Sequence, residues 1–367
     1  MSFGSIIKKL RRERDLTQEE LAEMLSISSQ AVSRWETDVA MPDISLLPTL
    51  CNYFGVSADM LLGIDLENKK ERIKTIIDEA DKYSSRGYHD KAIEILSAGY
   101  REYPDAYAII RDLMYVKYWK YNCDQSQKNL REEAIKHGED ILAKCTEDSI
   151  RQSAIQVLCY CYSGAGRMDD AVKLAESMPC IALSSEMLLS GIYTGDKGYE
   201  ARQTELNTLF QFLSNSLYSL TWSKNDSGEF IYTDKEKALL NEKRIALIKL
   251  FFEDGNCGFY HTDLCDAYRD QAVYYAKIGN TEMAIESLRT ASENAAEFER
   301  KADGGEYTCL AFRKEKYGSW SGNSTDNYSA RLLGKLDDPV FDEIRENEEF
   351  TDIKAKLSNY SGKWQVK

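Results

Sequence analysis

Near the start of the chain, Thr17 to Glu36 reads TQEELAEMLSISSQAVSRWE. It carries side chains whose chemistry suits the edges of base pairs. Gln30 offers an amide able to pair in bidentate fashion with adenine, and Arg34 offers a guanidinium that matches the two acceptors of guanine. Ser29 and Ser33 add hydroxyls that can reach a base, a phosphate or water. Such groups discriminate only if a rigid element holds them together on one side. The stretch supplies one, as two short amphipathic helices joined by a turn of about four residues, a helix-turn-helix layout. Thr17 and Glu20 form a capping box for the first helix. Leu21, Met24 and Leu25 share one side of it, and Ala22 is small enough to admit a neighbour. Ser28 caps the second helix, which turns Val32 and Trp35 inward and leaves Ser29, Gln30, Ser33 and Arg34 outward.

Around this stretch the spacing predicts three more helices. Residues 5–14 form the first, with Ile6, Ile7 and Leu10 buried. After a turn over Val39 to Asp43, Asp43 caps a fourth helix with Leu46, Leu47, Leu50 and Phe54 as its apolar face. Pro48 lies early in it, where a missing N–H costs least, and Gly55 suits its C-terminal cap. Ser57 caps a fifth, carrying Met60, Leu61 and Leu62, and Gly63 closes it.

Residues 4 to about 63 resemble the Cro-type domains of the xenobiotic-response-element family of bacterial helix-turn-helix regulators. The matching pieces run in order: Ile6-Ile7 with Leu10-Arg11, Leu16-Thr17-Gln18 with Leu21-Ala22, Ser28 with Val32-Ser33 and Trp35-Glu36. Then come Pro42, Leu47, Leu50, Phe54-Gly55-Val56-Ser57, Asp59 and Leu61-Leu62. The resemblance implies that Gln18 lies near the DNA backbone and that Ser29, Gln30 and Arg34 lie at base edges. Ser28 and Ser33 complete the expected DNA-contacting set. It also implies an ion pair between Arg11 and Glu36. Ser26 and Asp38 stand where such domains usually have Gly, so the backbone there must turn with a less permissive residue.

The chain of 367 residues has a formal net charge of −14, which argues against non-specific coating of nucleic acid. Positive charge gathers instead in Lys8, Lys9, Arg11, Arg12 and Arg14. Nine cysteines, an odd number without a framework, read as reduced core residues. The start of the chain lacks a long apolar core, and no apolar run reaches about 18 residues. A cytoplasmic protein without a membrane span is the expectation.

Beyond a charged joint at 67–72 the pattern is helical almost to the end. Three segments repeat one form: Gly87 to Ala92, Gly166 to Ala171 and Gly279 to Ala284, each Gly, four residues, Ala, then an aliphatic residue. Ala80 and Tyr83, or Ala272 and Tyr275, precede the turn. The arrangement resembles the tetratricopeptide repeat, and the glycines are spaced by close to two and three repeat lengths of about 34 residues. Five to seven hairpins between about residues 73 and 300 are expected, stacked as a solenoid. Tyr115, Tyr118, Trp119 and Tyr121 form a dense cluster with two open readings, packing between helices or a peptide-binding groove. Cys257, His261 and Cys265 recur every four residues but lack a fourth ligand, so no metal is expected. The three histidines are far apart with no nucleophile-and-base pattern, so neither enzyme nor cofactor is expected. The stretch 304–327 is irregular and is expected to be either an ordered loop against the array or a ligand-facing segment. Phe341, Ile344, Phe350, Ile353 and Leu357 mark capping helices, and the residues from Ser358 are expected to fray.

The fold class expected is therefore all-α: a five-helix Cro/lambda-repressor-like DNA-binding domain over 1–66, a joint at 67–72, a tetratricopeptide-like helical-hairpin solenoid over 73–335, and capping helices with a tail over 336–367. Its expected partners are double-stranded DNA with a palindromic operator, a second copy of the chain, and a peptide or protein effector in the repeats. The rival expectation is a protein-interaction scaffold in which DNA binding is secondary.

Overall fold

The computed structural model describes residues 2–63, 66–313, 315–318 and 324–366. The chain divides into two compact units, Met1–Ile76 and Ile77–Lys367.

In the first unit, α1 is Phe3–Glu13, α2 is Gln18–Met24, α3 is Ser29–Glu36, α4 is Leu47–Phe54 and α5 is Ala58–Leu61, with a 3-10 turn at Ile44–Leu46 leading into α4. Side-chain caps explain where most of these begin. Ser2, Thr17, Ser28 and Ser57 each accept a backbone N–H three residues on, and Thr17 with Glu20 completes a capping box. Asp43 caps the 3-10 turn through the N–H of Ser45 rather than α4 itself. Ile7, Leu21, Val32, Leu50 and Leu61 are fully buried and bring all five helices onto one core. The first helix starts two residues earlier than the spacing predicts. Phe3 reaches the core edge-on to Trp35, with ring centroids 6.5 Å apart.

The second unit opens within α6, Leu66–Ser84, so the charged stretch expected as a joint belongs to a helix. Then follow α7 His89–Glu102, α8 Tyr107–Cys123, α9 Lys128–Lys144, α10 Asp148–Gly164, α11 Met168–Glu176, α12 Ser185–Ile192, α13 Gly195–Leu220, α14 Asp234–Phe251, α15 His261–Lys277 and α16 Thr281–Lys301. Among the described residues this gives five helical hairpins, with α14 inserted singly between the fourth and fifth. From α7 to α11 each helix packs on its successor, and α8 also packs on α10, which is the nearest-neighbour stacking of a solenoid.

The three repeated glycines show why the chain folds this way. Gly87, Gly166 and Gly279 have φ of +77°, +78° and +77°, a left-handed conformation that favours Gly. Each turn is closed by the same bond, in which the residue after Gly donates to the carbonyl of Tyr83, Tyr162 or Tyr275. Ala92, Ala171 and Ala284 are all buried where the second helix meets the first. Close packing continues inside the array. A Cβ on Gly138 would lie 2.7 Å from both Leu158 and Met114.

The irregular stretch after α16 is largely packed structure. Gly305–Glu306 (β1) pairs antiparallel with Lys316–Tyr317 (β2). Tyr307, Cys309 and Phe312 are buried among Phe210, Phe252 and Tyr260 from the helices beneath. Its residues 314 and 319–323 lie outside the described ones. α17, Tyr328–Lys335, and α18, Glu348–Tyr360, then pack on α16.

The expectation of a frayed end from Ser358 is corrected. Trp364 is buried, its N–H donates to the Thr325 carbonyl at 2.8 Å, and its own carbonyl accepts from Tyr88 Oη at 2.9 Å. Its ring lies edge-on to Phe298 and under the Arg86 guanidinium, which also pairs with Asp303 at 2.7 Å. A lone Trp among polar residues carries no periodicity, so only the tertiary contact reveals its role. The final segment thus meets the first turn of the array.

Gly87 separates strain from crowding. Gly166→Ala and Gly279→Ala, with open space around the new Cβ, are expected to cost about 1–2 kcal/mol each from the left-handed backbone alone. Gly87→Ala would also press its Cβ to 2.3 Å from the Ser324 carbonyl carbon, and is expected to cost at least about 3 kcal/mol. Urea unfolding of the three full-length variants checks this ranking, and equal costs would refute the tail-to-turn contact.

Candidate nucleic-acid interface

The helix α3 is held at both ends by turns that use no glycine. Ser26, between α2 and α3, has φ +57°, and Asp38, after α3, has φ +56°. Asp38 offsets its left-handed strain locally. Its carboxylate accepts Ser2 Oγ at 2.6 Å and the Gly4 N–H at 2.8 Å, and these two bonds hold its carboxyl below the usual range. Gly4 is needed there, because a Cβ would meet the Trp35 carbonyl oxygen at 2.3 Å.

Beneath α3 lies a buried polar knot. Arg11 Nε donates to Glu36 Oε1 at 2.5 Å and its Nη2 donates to Oε2 at 3.0 Å, a bidentate pair joining α1 to α3. Arg11 Nη1 also donates to the Leu16 carbonyl, at the entry to α2. Gln18 Nε2 donates to Glu36 Oε2 at 2.9 Å, which ties α2 into the same carboxylate. Burial alone would raise the Glu36 carboxyl, but the Arg11 and Gln18 hydrogen bonds and the Arg11 charge outweigh it and lower it. The hydrogen bond from Glu36 raises Arg11 against its own desolvation.

Gln18 was expected beside the DNA backbone. Its amide nitrogen faces Glu36, a bond that its position eighteen residues away gives no local sign of. Its side chain stays partly exposed at the N-terminus of α2. Ser28 is exposed, and its hydroxyl accepts the Ala31 N–H at 3.2 Å. Ser29 and Ser33 are half-buried on the outer side of α3, while Gln30 and Arg34 are exposed. Among the described residues neither the Gln30 amide nor the Arg34 guanidinium has a hydrogen-bond or ion-pair partner. No acidic residue lies in the first turn of α3. Not all the basic residues of α1 are free in the same way. Lys9 pairs with Glu13 at 3.7 Å, and Arg14, the C-terminal cap just after α1, lies over the Tyr53 ring at 5.0 Å. The turn after α3 also exposes Val39, Met41 and Ile44, which the sequence marks only as a turn.

Elsewhere the residues considered as metal ligands are differently employed. His261 Nδ1 lies 2.8 Å from Asn294 Oδ1, and Cys257 and Cys265 are buried thiols that desolvation pushes up. Among the described residues no three groups converge as ligands. Among the described residues no helix is long and apolar enough to cross a membrane.

Arg11→Ala would leave the Glu36 carboxylate buried and half-satisfied, and is expected to cost the first unit about 3–5 kcal/mol. The double change Arg11→Met with Glu36→Leu is expected to cost less than half as much. Because the Glu36 carboxyl is lowered in the folded state, its stabilisation is complete above its ordinary value and drains away as the pH falls through the lowered one. Urea-dependent hydrogen exchange of residues 3–61 in the full chain reads both effects. Equal costs for the single and double changes, or no acid loss, would overturn the role given to the pair.

Comparison with known proteins matches the same N-terminal stretch. A helix-turn-helix family model matches residues 7–61. The transcriptional regulator ImmR of Bacillus subtilis is 41% identical over 70 residues, which are 19% of this chain and 55% of that protein. The transcriptional activator BcrR of Enterococcus faecalis is 39% identical over 63 residues, 17% of this chain and 31% of that one. The chain thus spans about half or less of these relatives. Among solved structures, Bacillus thuringiensis PlcR in complex with the peptide PapR7 and DNA aligns over 81% of this chain and 95% of its own, at 16% identity and a TM-score of 0.34. Apo ComR of Streptococcus vestibularis aligns over 82% and 95%, at 17% identity and 0.28. The capped helices α2 and α3, the knot beneath them and the matched residues 7–61 together make the N-terminal domain a helix-turn-helix domain of the xenobiotic-response-element type.

Proposed function

We propose that this chain is a sequence-specific DNA-binding transcriptional regulator that acts as a homodimer on a palindromic operator, with its helical repeats sensing a peptide or protein effector. The observation that carries the DNA half is the contrast across α3. Its inner side is locked by Val32, Trp35 and the Arg11–Glu36–Gln18 knot, while Gln30 and Arg34 stand outward without side-chain partners among the described residues. Idle amide and guanidinium groups on a rigid helix are what base-edge readout requires. Ser29 and Ser33 flank them, and Ser28 and Gln18 stand at the helix N-termini, where phosphate oxygens are received.

Charge supports pairing. With a net charge of −14, one copy has little general attraction for DNA, and two recognition helices on one duplex compensate for that. The effector half is supported by unsatisfied polar atoms in the repeats. Asn241 on α14 is 1% exposed, and among the described residues neither its amide nitrogen nor its oxygen has a hydrogen-bond partner. One turn earlier on the helix, Lys237 lines a recess of about 310 Å³ with Trp222, Phe230, Asp270 and Tyr274. Asp270 leaves a buried carboxylate oxygen unpaired there. A peptide backbone in the recess offers the donor that this Asp270 oxygen lacks.

Gln30→Ala and Arg34→Ala are each expected to cost about 1–3 kcal/mol on the operator, roughly 5- to 150-fold in affinity, with base preference relaxed at one position each. Gel-shift titration of genomic fragments selected by the full-length protein measures this at several salt concentrations. Retention of DNA undiminished in both variants would favour the scaffold reading instead.

A further inference from the structure

The region around α12 and α13 differs from the rest of the surface. From Leu206 to Trp222 the chain contains no Asp, Glu, Lys or Arg, although 29% of all residues are charged. Only Glu186 interrupts a second uncharged run, from Ser177 to Gly195. Surface helices are ordinarily charged on the side away from the core. From Leu206 onward this side of α13 is uncharged, with Leu206, Leu209, Phe212, Leu213 and Leu220 exposed among polar Gln211, Asn215, Ser216 and Ser219.

α13 is 26 residues long, about 39 Å, and buries one side against its neighbours through Gln203, Phe210 and Ser214. On the next side, Tyr199, Leu206, Leu213 and Leu220 recur every seven residues, with Leu209 beside them; these five and Phe212 are between 36% and 53% exposed. A seven-residue spacing keeps one line of side chains facing a partner helix along its length, and it serves no purpose against water. Beside this ridge lies a recess of about 720 Å³, to which Leu209 and Phe212 contribute with Met178, Ile181 and Leu183. Ile181, Leu183, Leu188 and Ile192 are themselves more than half exposed.

We infer that this ridge and recess are the surface on which two copies of the chain pair. The inference rests on the homodimeric reading above and gives it a location. Three features select a second copy as the occupant. The exposed apolar side chains of α12, α13 and the turn before them present on the order of 1,000 Å², which matches the roughly 800 Å² per partner of a stable interface. One surface carries both a ridge and a recess, as a two-fold contact requires, since each copy must supply both halves. And on a protein of net charge −14, self-repulsion is weakest where charge is sparse: Leu206 to Trp222 carries none, and Glu186 and Glu205 are the charged residues that line the recess.

Sedimentation of the full-length protein without DNA tests this. The wild-type chain is expected to be a dimer at micromolar concentration. Leu206→Glu with Leu213→Glu is expected to weaken pairing at least about 100-fold. Leu250→Glu, at a more exposed apolar residue on α14, is expected to leave the dimer intact. Hydrogen exchange of Leu206–Leu220 in the unmodified protein is expected to rise on dilution, which covers the case of a variant that misfolds. A wild-type monomer at every concentration, a dimer that survives both charges, or exchange independent of concentration would each overturn the assignment, and the surface would then belong to another protein or an apolar peptide. Binding of the monomer to a single half-site, measured in parallel, separates failure of this surface from failure of the DNA-reading function.

Discussion

One buried carboxylate organises the N-terminal domain. Glu36 ends the outward-facing helix, yet its side chain lies under the domain, where it would be costly without partners. Arg11 from α1 and Gln18 from α2 supply them, so three helices converge on two oxygen atoms. Apolar packing through Ile7, Leu21 and Val32 brings these helices together but tolerates small rotations. A bidentate guanidinium–carboxylate contact does not. The knot therefore converts a packed helix into an oriented one, and orientation is what Gln30 and Arg34 need if they are to distinguish one base pair from another.

The repeat domain follows a different logic. Its regularity comes from three identical left-handed turns at Gly87, Gly166 and Gly279, each followed by an alanine that lets two helices close up. Its irregularities lie between the second and third of these. There α12 is short, α13 is long and uncharged from Leu206 onward, and α14 stands alone. The aromatic group under α13, with Phe210, Phe252, Tyr260 and Phe312 at 4.9–6.0 Å spacings, makes that part of the array firm even where its surface is apolar. The cluster at Tyr115, Tyr118 and Trp119 divides its roles. Tyr118 stacks on Tyr160 and Trp119 packs between, while Tyr115 and Tyr160 stay about half exposed.

What was legible in the sequence was local. Thr17 with Glu20, Ser28, Ser57 and the three glycines act through neighbours three to five residues away, so their types and spacing suffice to place helix starts and turns. The outward set on α3 was legible for the same reason, from the period of Val32 and Trp35. Most contacts across the fold were not, and the Arg11–Glu36 pair came from the family resemblance rather than from spacing. Nothing near Gln18 signals that its amide turns to Glu36, and nothing near Trp364 signals Phe298 or Arg86. Asp38 marks the middle ground. Its left-handed backbone follows from its place where a Gly is usual, but the compensation by Ser2 and Gly4 needed the folded chain. The unpaired amide of Asn241 and the apolar exposure of α13 likewise emerge only once burial is known.

The outward helix α3, fixed by the Glu36 knot, makes a definite claim about where this protein sits in the cell that makes it. A genome-wide footprint of the intact chain tests that claim most directly. Discrete sites sharing a two-fold symmetric sequence, with half-sites about one helical turn or a multiple of it apart, are the expected result. Occupancy that follows DNA abundance without a common sequence, or no occupancy at all, would contradict it.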